Sequence, residues 1–109
     1  MLPARVRILL CTAPQDFRKS FDGLALITRQ MLGEDPQSGT LFAFVNRGLT
    51  RLKILWWDHN GYCLLYKRLH GARISAPKLG SSQLKVDLDG TQLAALLRGV
   101  EHIRRRRRS

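Results

Sequence analysis

The sequence predicts an α+β domain with one mainly antiparallel sheet and two helices packed on one face of it. Three observations favour this class. A segment with strand alternation precedes a segment with the three- and four-residue apolar spacing of a helix. Three strand-like segments then follow one another, separated by turn residues, and a last strand and helix close the chain. The chain has 109 residues, and we assign residues 1–103 to this single domain.

The first predicted elements are a strand and a helix. Residues 4–12 alternate between apolar residues on one face and a mixed second face, and Pro14 ends this strand. A helix is predicted from about Asp16 to Leu32 because apolar residues recur there at helical spacing. We expect Asp16 to be its N-cap and Asp22 to pair with Arg18, four residues earlier.

A three-stranded antiparallel meander is predicted next, over residues 40–46, 50–57 and 62–69. Asn60-Gly61 lies between two apolar runs, and both residues tolerate a positive φ, so this dipeptide predicts a hairpin turn. Alternation in the middle strand places two cations, a leucine and a tryptophan on one face. These residues are Arg51, Lys53, Leu55 and Trp57.

The last third of the chain is predicted to return to the sheet. A short strand is possible at residues 72–75, and residues 83–88 alternate as a final strand. Asp89 or Thr91 is expected to cap a short helix that runs to about Val100. The order of the strands in the sheet is left open.

Positive charge is the strongest feature of the composition. Nineteen lysines and arginines oppose eight aspartates and glutamates, for a net charge of +11 at pH 7. Five of the positive charges form a C-terminal run, and without it fourteen basic residues still oppose eight acidic ones, a net charge of +6. A basic tail on a basic body predicts a polyanionic partner. We expect residues 104–109 to be a disordered basic tail that contacts phosphates.

No combination of residues predicts an active site, so we expect a protein that is not an enzyme and holds no metal or cofactor. A metal-dependent nuclease needs two or three carboxylates that converge on a cation. The trio Asp16, Asp22 and Asp58 is kept as a minor alternative. Two cysteines and three scattered histidines do not match a zinc pattern, and no glycine-rich phosphate loop opens a helix.

Cationic and aromatic residues are interleaved on the predicted meander. Cations bind phosphates and aromatic rings stack on unpaired bases, so this combination is typical of surfaces that grip single-stranded or distorted nucleic acid. The alternative is that the aromatic residues pack and the cations solvate an open sheet face. The candidate nucleic-acid-binding residues are Arg18, Lys19, Arg47, Arg51, Lys53, Trp57, Lys67, Arg68, Arg73, Arg104, Arg105, Arg106, Arg107 and Arg108.

The remaining composition predicts a soluble, cytoplasmic protein without a membrane partner. Cys11 and Cys63 belong to no paired motif, so we expect two reduced thiols. The first residues lack the apolar run and the cleavage site of a secretory signal. No stretch approaches the ~20 apolar residues of a membrane span. With DNA as its partner, the protein would be associated with the nucleoid.

Two motifs resemble a known family. Residues 16–24, DFRKSFDGL, resemble the segment D-M-R-K-G/S-F-D-G-L of the small accessory protein of insertion-sequence-66 elements, called TnpB but distinct from the RNA-guided nuclease of that name. Residues 52–69, LKILWWDHNGYCLLYKRL, resemble its core V-K-I-L-W-W-D-x-D/N-G-F/L/Y-C-L-F/L-Y-K-R-L. The chain departs from the family pattern at Ala76-Pro77, where an aromatic-Pro pair is common. Shorter matches, which extend the resemblance over essentially the whole chain, lie at residues 33–36, 38–39, 41–44, 92–93 and 96–97.

The resemblance implies a bacterial mobile-element protein that acts beside a separate, larger transposase. The transposase carries the catalytic carboxylates, so a helper role in DNA transposition is implied and strand-transfer chemistry is not. Our leading hypothesis is an accessory factor that binds DNA, at the element ends or non-specifically, and the cognate transposase. The alternative is a protein-interaction module in which the paired tryptophans, Trp56 and Trp57, and the arginine surface dock an acidic patch of the transposase, and DNA contact is only non-specific.

Overall fold

The computed structural model describes residues 6–102. Its elements in chain order are β1 (Ile8–Cys11), α1 (Phe21–Gln30), β2 (Leu41–Val45), β3 (Arg51–Asp58), β4 (Gly61–Arg68), β5 (Ala72–Arg73), β6 (Lys85–Leu88), α2 (Gly90–Arg98) and β7 (Val100–Glu101). The main sheet has the strand order β4-β3-β2-β1-β6, and β5 pairs with β7 in a small second sheet. Only β1 and β2 run parallel; the other neighbours in residues 6–102 are antiparallel. The predicted α+β class with a mainly antiparallel sheet is confirmed.

The main sheet is covered on both faces, and the two helices lie on opposite sides of it. Leu9 packs with Leu24 of α1, whereas Ile8 packs with Leu96 of α2. The expectation of two helices on one face is therefore wrong. The reason is visible in β1, where all four residues from Ile8 to Cys11 are buried, because a strand that is apolar on both faces needs a cover on both. We refer to these sides as the α1 face and the α2 face.

Helix α1 begins at Phe21, five residues later than the sequence pattern predicts, and Ser20 precedes it. Asp16 is not its N-cap. The Asp16 carboxylate instead accepts the backbone N–H of Arg18 at 2.9 Å, a local turn that competes with helix formation. The helix itself is confirmed, and it connects the parallel strands β1 and β2.

The meander β2–β3–β4 is confirmed, with an unbroken register from Arg51 opposite Arg68 to Asp58 opposite Gly61. The hairpin turn lies one residue earlier than predicted. His59 has the positive φ, 58°, whereas Gly61 belongs to the last strand pair. Histidine is among the non-glycine residues enriched in this left-handed region.

Helix α2 is capped by Asp89, one of the two predicted caps. The Asp89 carboxylate accepts the Gln92 N–H at 2.7 Å, and the Gln92 side chain accepts the Asp89 N–H at 2.9 Å, a capping box. Gly99 follows with a φ of 68°, and a Cβ there would collide with Leu69 and the Arg73 carbonyl oxygen. Within residues 6–102, neither helix is long and apolar enough to cross a membrane.

Candidate nucleic-acid interface

A groove of about 390 Å³ opens where the segment before α1 meets the turn between β2 and β3. Gln15 joins the two segments, because its N–H donates to the Val45 carbonyl at 2.8 Å and it forms a parallel bridge with Asn46. Three of the groove's side chains are guanidiniums. We call this the arginine groove; it is lined by Gln15, Asp16, Phe17, Arg18, Asn46, Arg47, Gly48 and Arg51.

The Asn46 side chain holds the turn that presents two of these arginines. Its Oδ1 accepts the backbone N–H groups of Thr50 and Arg51, both at 2.9 Å. Its Nδ2 donates to the Thr50 hydroxyl at 3.2 Å. Arg47 is therefore exposed on a turn that the Asn46 side chain holds in place. Arg51 is the first residue of β3 and lines the groove.

Arg51 and Arg68 lie directly opposite one another on β3 and β4. The neighbouring pair, Thr50 and Leu69, is hydrogen-bonded, since the Leu69 N–H donates to the Thr50 carbonyl. Hydrogen-bonded and non-hydrogen-bonded pairs alternate along an antiparallel ladder, so Arg51 and Arg68 form a non-hydrogen-bonded pair with Cα atoms about 4.5 Å apart. Within residues 6–102, no ion pair joins Arg47, Arg51 or Arg68 to a carboxylate. Like charges directly opposite are destabilising, and a bound anion would remove this repulsion.

Arg18 has a carboxylate partner. Its Nη2 and Nε donate to Asp16 Oδ2 at 2.6 and 2.9 Å. These hydrogen bonds from Arg18 hold the pKa of the Asp16 carboxyl well below its usual range. The predicted pairing of Arg18 with Asp22 is therefore wrong. At neutral pH the lining of the groove carries one carboxylate, bonded to Arg18, and three guanidiniums.

Lys53 lies inside the protein and not on the surface where the strand pattern placed it. Only 4% of the residue is exposed. Its Nζ donates to the carbonyl oxygens of Phe17 at 2.9 Å and Lys19 at 2.7 Å. It also lies 4.9 Å from the centre of the Phe17 ring and 4.8 Å from that of Tyr66, both within cation–π range. Lys53 fastens the segment before α1 to the sheet, and its ammonium is engaged there.

The remaining candidate cations are divided between the two faces. Lys67 and Arg68 are consecutive in β4, so Arg68 points to the α1 face with Arg51 and Lys67 points to the α2 face. The Lys67 Nζ donates to the Leu97 carbonyl at 2.8 Å, at the end of α2. A second groove of about 170 Å³ lies here; it is lined by Lys67, Arg68, Leu69, His70, Ala72, Arg98 and Glu101. Lys19 is half-buried, and Arg73 is exposed on β5.

The aromatic candidates are packed to different degrees. Trp57 is half-buried and meets Tyr62 edge to face, with ring centres 5.0 Å apart. Trp56 packs against the core of the α2 face. Tyr66 is 50% exposed, and its hydroxyl accepts an N–H of Arg51 at 3.1 Å. Tyr66 is thus the aromatic ring placed beside the arginines.

The C-terminal candidates, residues 104–108, and the tail assigned to residues 104–109 lie outside the described residues. The described chain ends at His102, whose N–H donates to the Gly71 carbonyl at 2.9 Å. This point is next in sequence to Glu101, which lines the second groove. In the sequence, the arginine run begins two residues after His102.

The three aspartates of the nuclease alternative do not converge. Asp16 lines the arginine groove, whereas Asp58 lies at the other end of β3, roughly 23 Å from Arg51 at ~3.3 Å per residue. Asp22 is exposed in the first turn of α1. Across residues 6–102, no three His, Cys, Asp or Glu side chains are grouped to hold a metal ion.

Sequence reasoning missed two residues of this region. Asn46 precedes Arg47-Gly48, a turn sequence in which an asparagine side chain commonly bonds the following backbone, so the signal was present. Arg98 is the basic residue in the last turn of α2, where a cation favours the helix end, and it joins Lys67 and Arg68 in the second groove.

The fold and this region define a small basic α+β protein in which Arg47, Arg51 and Arg68, none of them ion-paired within residues 6–102, lie at one end of the main sheet. The chain belongs to the family described as IS66 Orf2 like protein, whose model matches residues 6–107, so the resemblance seen in the sequence is confirmed. It is similar to two proteins of Sinorhizobium fredii (strain NBRC 101917 / NGR234), "Uncharacterized protein y4hO" and "Uncharacterized protein y4jC". The first is 35% identical over 93% of this chain and 88% of its own length, and the second is 29% identical over 97% and 90%. No solved structure matches the chain.

Proposed function

We propose that this protein is a non-catalytic accessory factor of an insertion sequence, which binds DNA and assists the separate transposase. One observation carries the proposal: Arg47, Arg51 and Arg68 lie together without a carboxylate partner among residues 6–102. Phosphodiester groups supply the missing negative charge. Guanidinium groups suit them because each can donate two parallel hydrogen bonds to a phosphate.

Neighbouring residues support contact with the DNA phosphate backbone along this end of the sheet. On the α2 face, Lys67 and Arg98 continue the series of cations beyond Arg68. Tyr66 lies two residues before Arg68 on β4 and accepts a hydrogen bond from Arg51; it is half exposed, so its ring offers a surface on which an unpaired base can stack. Lys53 takes no direct part; it positions the groove wall through its bonds to Phe17 and Lys19.

The test is a fluorescence-anisotropy titration of a labelled element-end duplex and a scrambled duplex at several salt concentrations. The double variant Arg51→Ala/Arg68→Ala should lower the slope of log affinity against log salt by about 1.8, since each lost phosphate contact removes about 0.9. The matched control Arg29→Ala/Lys78→Ala removes two exposed cations elsewhere and should leave the slope nearly unchanged. An equal slope for the wild type and the first variant would remove these arginines from the interface.

The C-terminal run is tested in the same titration by deleting residues 104–108. If all five arginines contact phosphates, the slope should fall by a further ~4–5. An unchanged slope would show that the run does not contribute to DNA binding. Preference for the element end over scrambled DNA would assign the protein to end recognition, and equal affinity would assign it to non-specific binding.

Contact with the transposase is the other part of the proposal. The docking hypothesis uses the two tryptophans as one surface, yet Trp56 packs on the α2 face and Trp57 on the α1 face. One surface of the transposase cannot contact both tryptophans, because they lie on opposite faces of the sheet. We therefore give DNA binding the leading place, and a pull-down of purified transposase by wild type and by Trp57→Ala tests the docking alternative.

A further inference from the structure

Strand β4 forms one edge of the main sheet and has the features of a pairing strand. Its only strand neighbour in residues 6–102 is β3. It is eight residues long, contains no proline, and keeps an unbroken register with β3. Leu65 and Tyr66, near its middle, are large hydrophobic residues with 38% and 50% exposure. Proteins usually protect such an edge with short strands, prolines, bulges or charged side chains, because it is a template for another strand; here the charges stand only at the last two positions, Lys67 and Arg68.

The register identifies the backbone groups that face outward. The Leu69 N–H donates to the Thr50 carbonyl, and hydrogen-bonded pairs recur at every second position of an antiparallel ladder. Cys63, Leu65 and Lys67 therefore bond β3. The N–H and C=O groups that point away from β3 belong to Tyr62, Leu64, Tyr66 and Arg68.

We propose that β4 pairs in antiparallel fashion with β4 of a second copy of this chain, about a two-fold axis at Leu65. This register places Tyr62 opposite Arg68 and Leu64 opposite Tyr66, so all the outward-facing groups meet in hydrogen-bonded pairs. The two five-stranded sheets then form one continuous sheet of ten strands. The contact is isologous and closes as a dimer.

The order of residues along β4 favours a second copy as the occupant. The first half of the strand is apolar and the second half ends in Lys67 and Arg68. Antiparallel pairing at this register sets each Arg68 opposite a Tyr62 and each Lys67 opposite a Cys63, so the cations of the two copies stay apart. Parallel pairing would bring the cations together. The two-fold axis is perpendicular to the sheet, so both arginine grooves would lie on the same side of the dimer.

The association does not depend on the proposed DNA binding, and it is tested without DNA. Analytical ultracentrifugation of the full chain should give twice the chain mass. Leu65→Lys sets two ammonium groups against each other at the axis and should return the mass to that of one chain. Leu26→Lys makes the same change at an exposed leucine of α1 and should leave the dimer intact. A monomeric wild type, or a Leu65→Lys variant that stays dimeric, would overturn the proposal; circular dichroism confirms that each variant is folded.

A cysteine variant tests the register independently. In a Cys63→Ala background, Leu65→Cys places two thiols in a non-hydrogen-bonded pair with Cα atoms about 4.5 Å apart, within disulfide range, so mild oxidation should link two chains. The native Cys63 of each copy would lie roughly 14 Å from the other, four residues along the strand, and should not cross-link. Linkage through Cys63 without linkage through residue 65 would overturn the register.

Discussion

The two edges of the main sheet carry their charges in opposite ways. At the β6 edge, Arg7 binds Glu34 and Asp87, each at 3.1 Å, and Lys85 binds Glu34 at 2.5 Å. Each of these cations has a carboxylate. At the β4 edge, Arg51 faces Arg68 across the strands, and neither has a carboxylate partner within residues 6–102.

The difference separates charges that serve the fold from charges available to a ligand. The β6 edge is only four residues long, and the cations beside it are held in ion pairs; a short edge strand is also a poor template for another strand. The β4 edge is twice as long and leaves both guanidiniums and backbone groups open. Substitutions at the first edge should therefore lower stability without changing DNA affinity, and substitutions of Arg51 or Arg68 at the second should lower DNA affinity without lowering stability.

The largest effect is expected at Lys53, the cation near the β4 edge that serves the fold. Lys53→Ala should lower the free energy of unfolding by about 2–4 kcal/mol, because two carbonyls lose their donor and a cavity is left. Urea unfolding measures the loss. Lys53→Met fills the space and should recover part of it. If the Lys53→Ala variant kept its stability and bound DNA more weakly, Lys53 would be a DNA-contacting residue and not a structural one.

The next largest effect is expected for a charge reversal at Arg51, near the β4 edge, which should change stability and DNA affinity in opposite directions. Arg51→Glu places a carboxylate opposite Arg68 and should raise the free energy of unfolding by about 0.2–1 kcal/mol. The same change should weaken DNA binding by about tenfold or more, since one charged hydrogen-bonding contact is lost and repulsion is added. Arg29→Glu is the control for net charge. A variant that lost stability and affinity together would contradict the separation of roles.

The hairpin explains why part of this region could be predicted from sequence. Alternation and the turn residues after Asp58 predict the β3–β4 hairpin. The register depends on the exact turn: a two-residue turn at Asn60-Gly61 would set Arg51 opposite His70, whereas the observed turn at residues 59–60 sets it opposite Arg68. The burial of Lys53 could not be predicted in this way, because its carbonyl partners lie 34 and 36 residues earlier in the chain. Strand alternation shows which face a residue takes, but not what covers that face.

The helices show the same limit. The start of α1 was misplaced because the Asp16 side chain bonds the following backbone, a local choice that apolar spacing does not show. The placement of α1 and α2 on opposite faces of the sheet depends on the strand order, which the sequence leaves open. The sequence did contain a sign of it, since Leu9 and Cys11 make the second face of β1 as apolar as the first.

At the β6 edge, Glu34 should make stability depend on pH. The hydrogen bond from Lys85, together with Arg7, lowers the pKa of Glu34 below that of an unfolded chain. As the pH falls through the usual carboxyl range, the unfolded chain takes up the proton first, so stability declines toward the lower folded pKa. Glu34→Gln should lose about 1 kcal/mol at pH 7 and respond less to acid.

Thermal unfolding from pH 7 to pH 3 measures this dependence. DNA affinity at pH 7 should be the same for wild type and Glu34→Gln. A variant with wild-type stability at pH 7, or with weaker DNA binding, would contradict the role given to the paired edge.

The smallest effect is expected at Asp16, the one carboxylate in the arginine groove. Asp16→Asn removes the partner of Arg18 and leaves a third guanidinium available. DNA affinity should rise roughly two- to threefold at low salt, and the gain should shrink as salt increases. Anisotropy at two salt concentrations is sufficient. Weaker binding by Asp16→Asn would mean that the carboxylate orients Arg18 for contact.

The two edges can be compared most directly by nuclear magnetic resonance, with a short duplex titrated into the isotope-labelled full chain. We predict the largest amide shift changes at Arg47, Arg51 and Arg68, and no change at Arg7 or Lys85. These changes would place the bound DNA at the end of the sheet that carries the three arginines. Changes of equal size at both edges, or changes confined to the β6 edge, would contradict it.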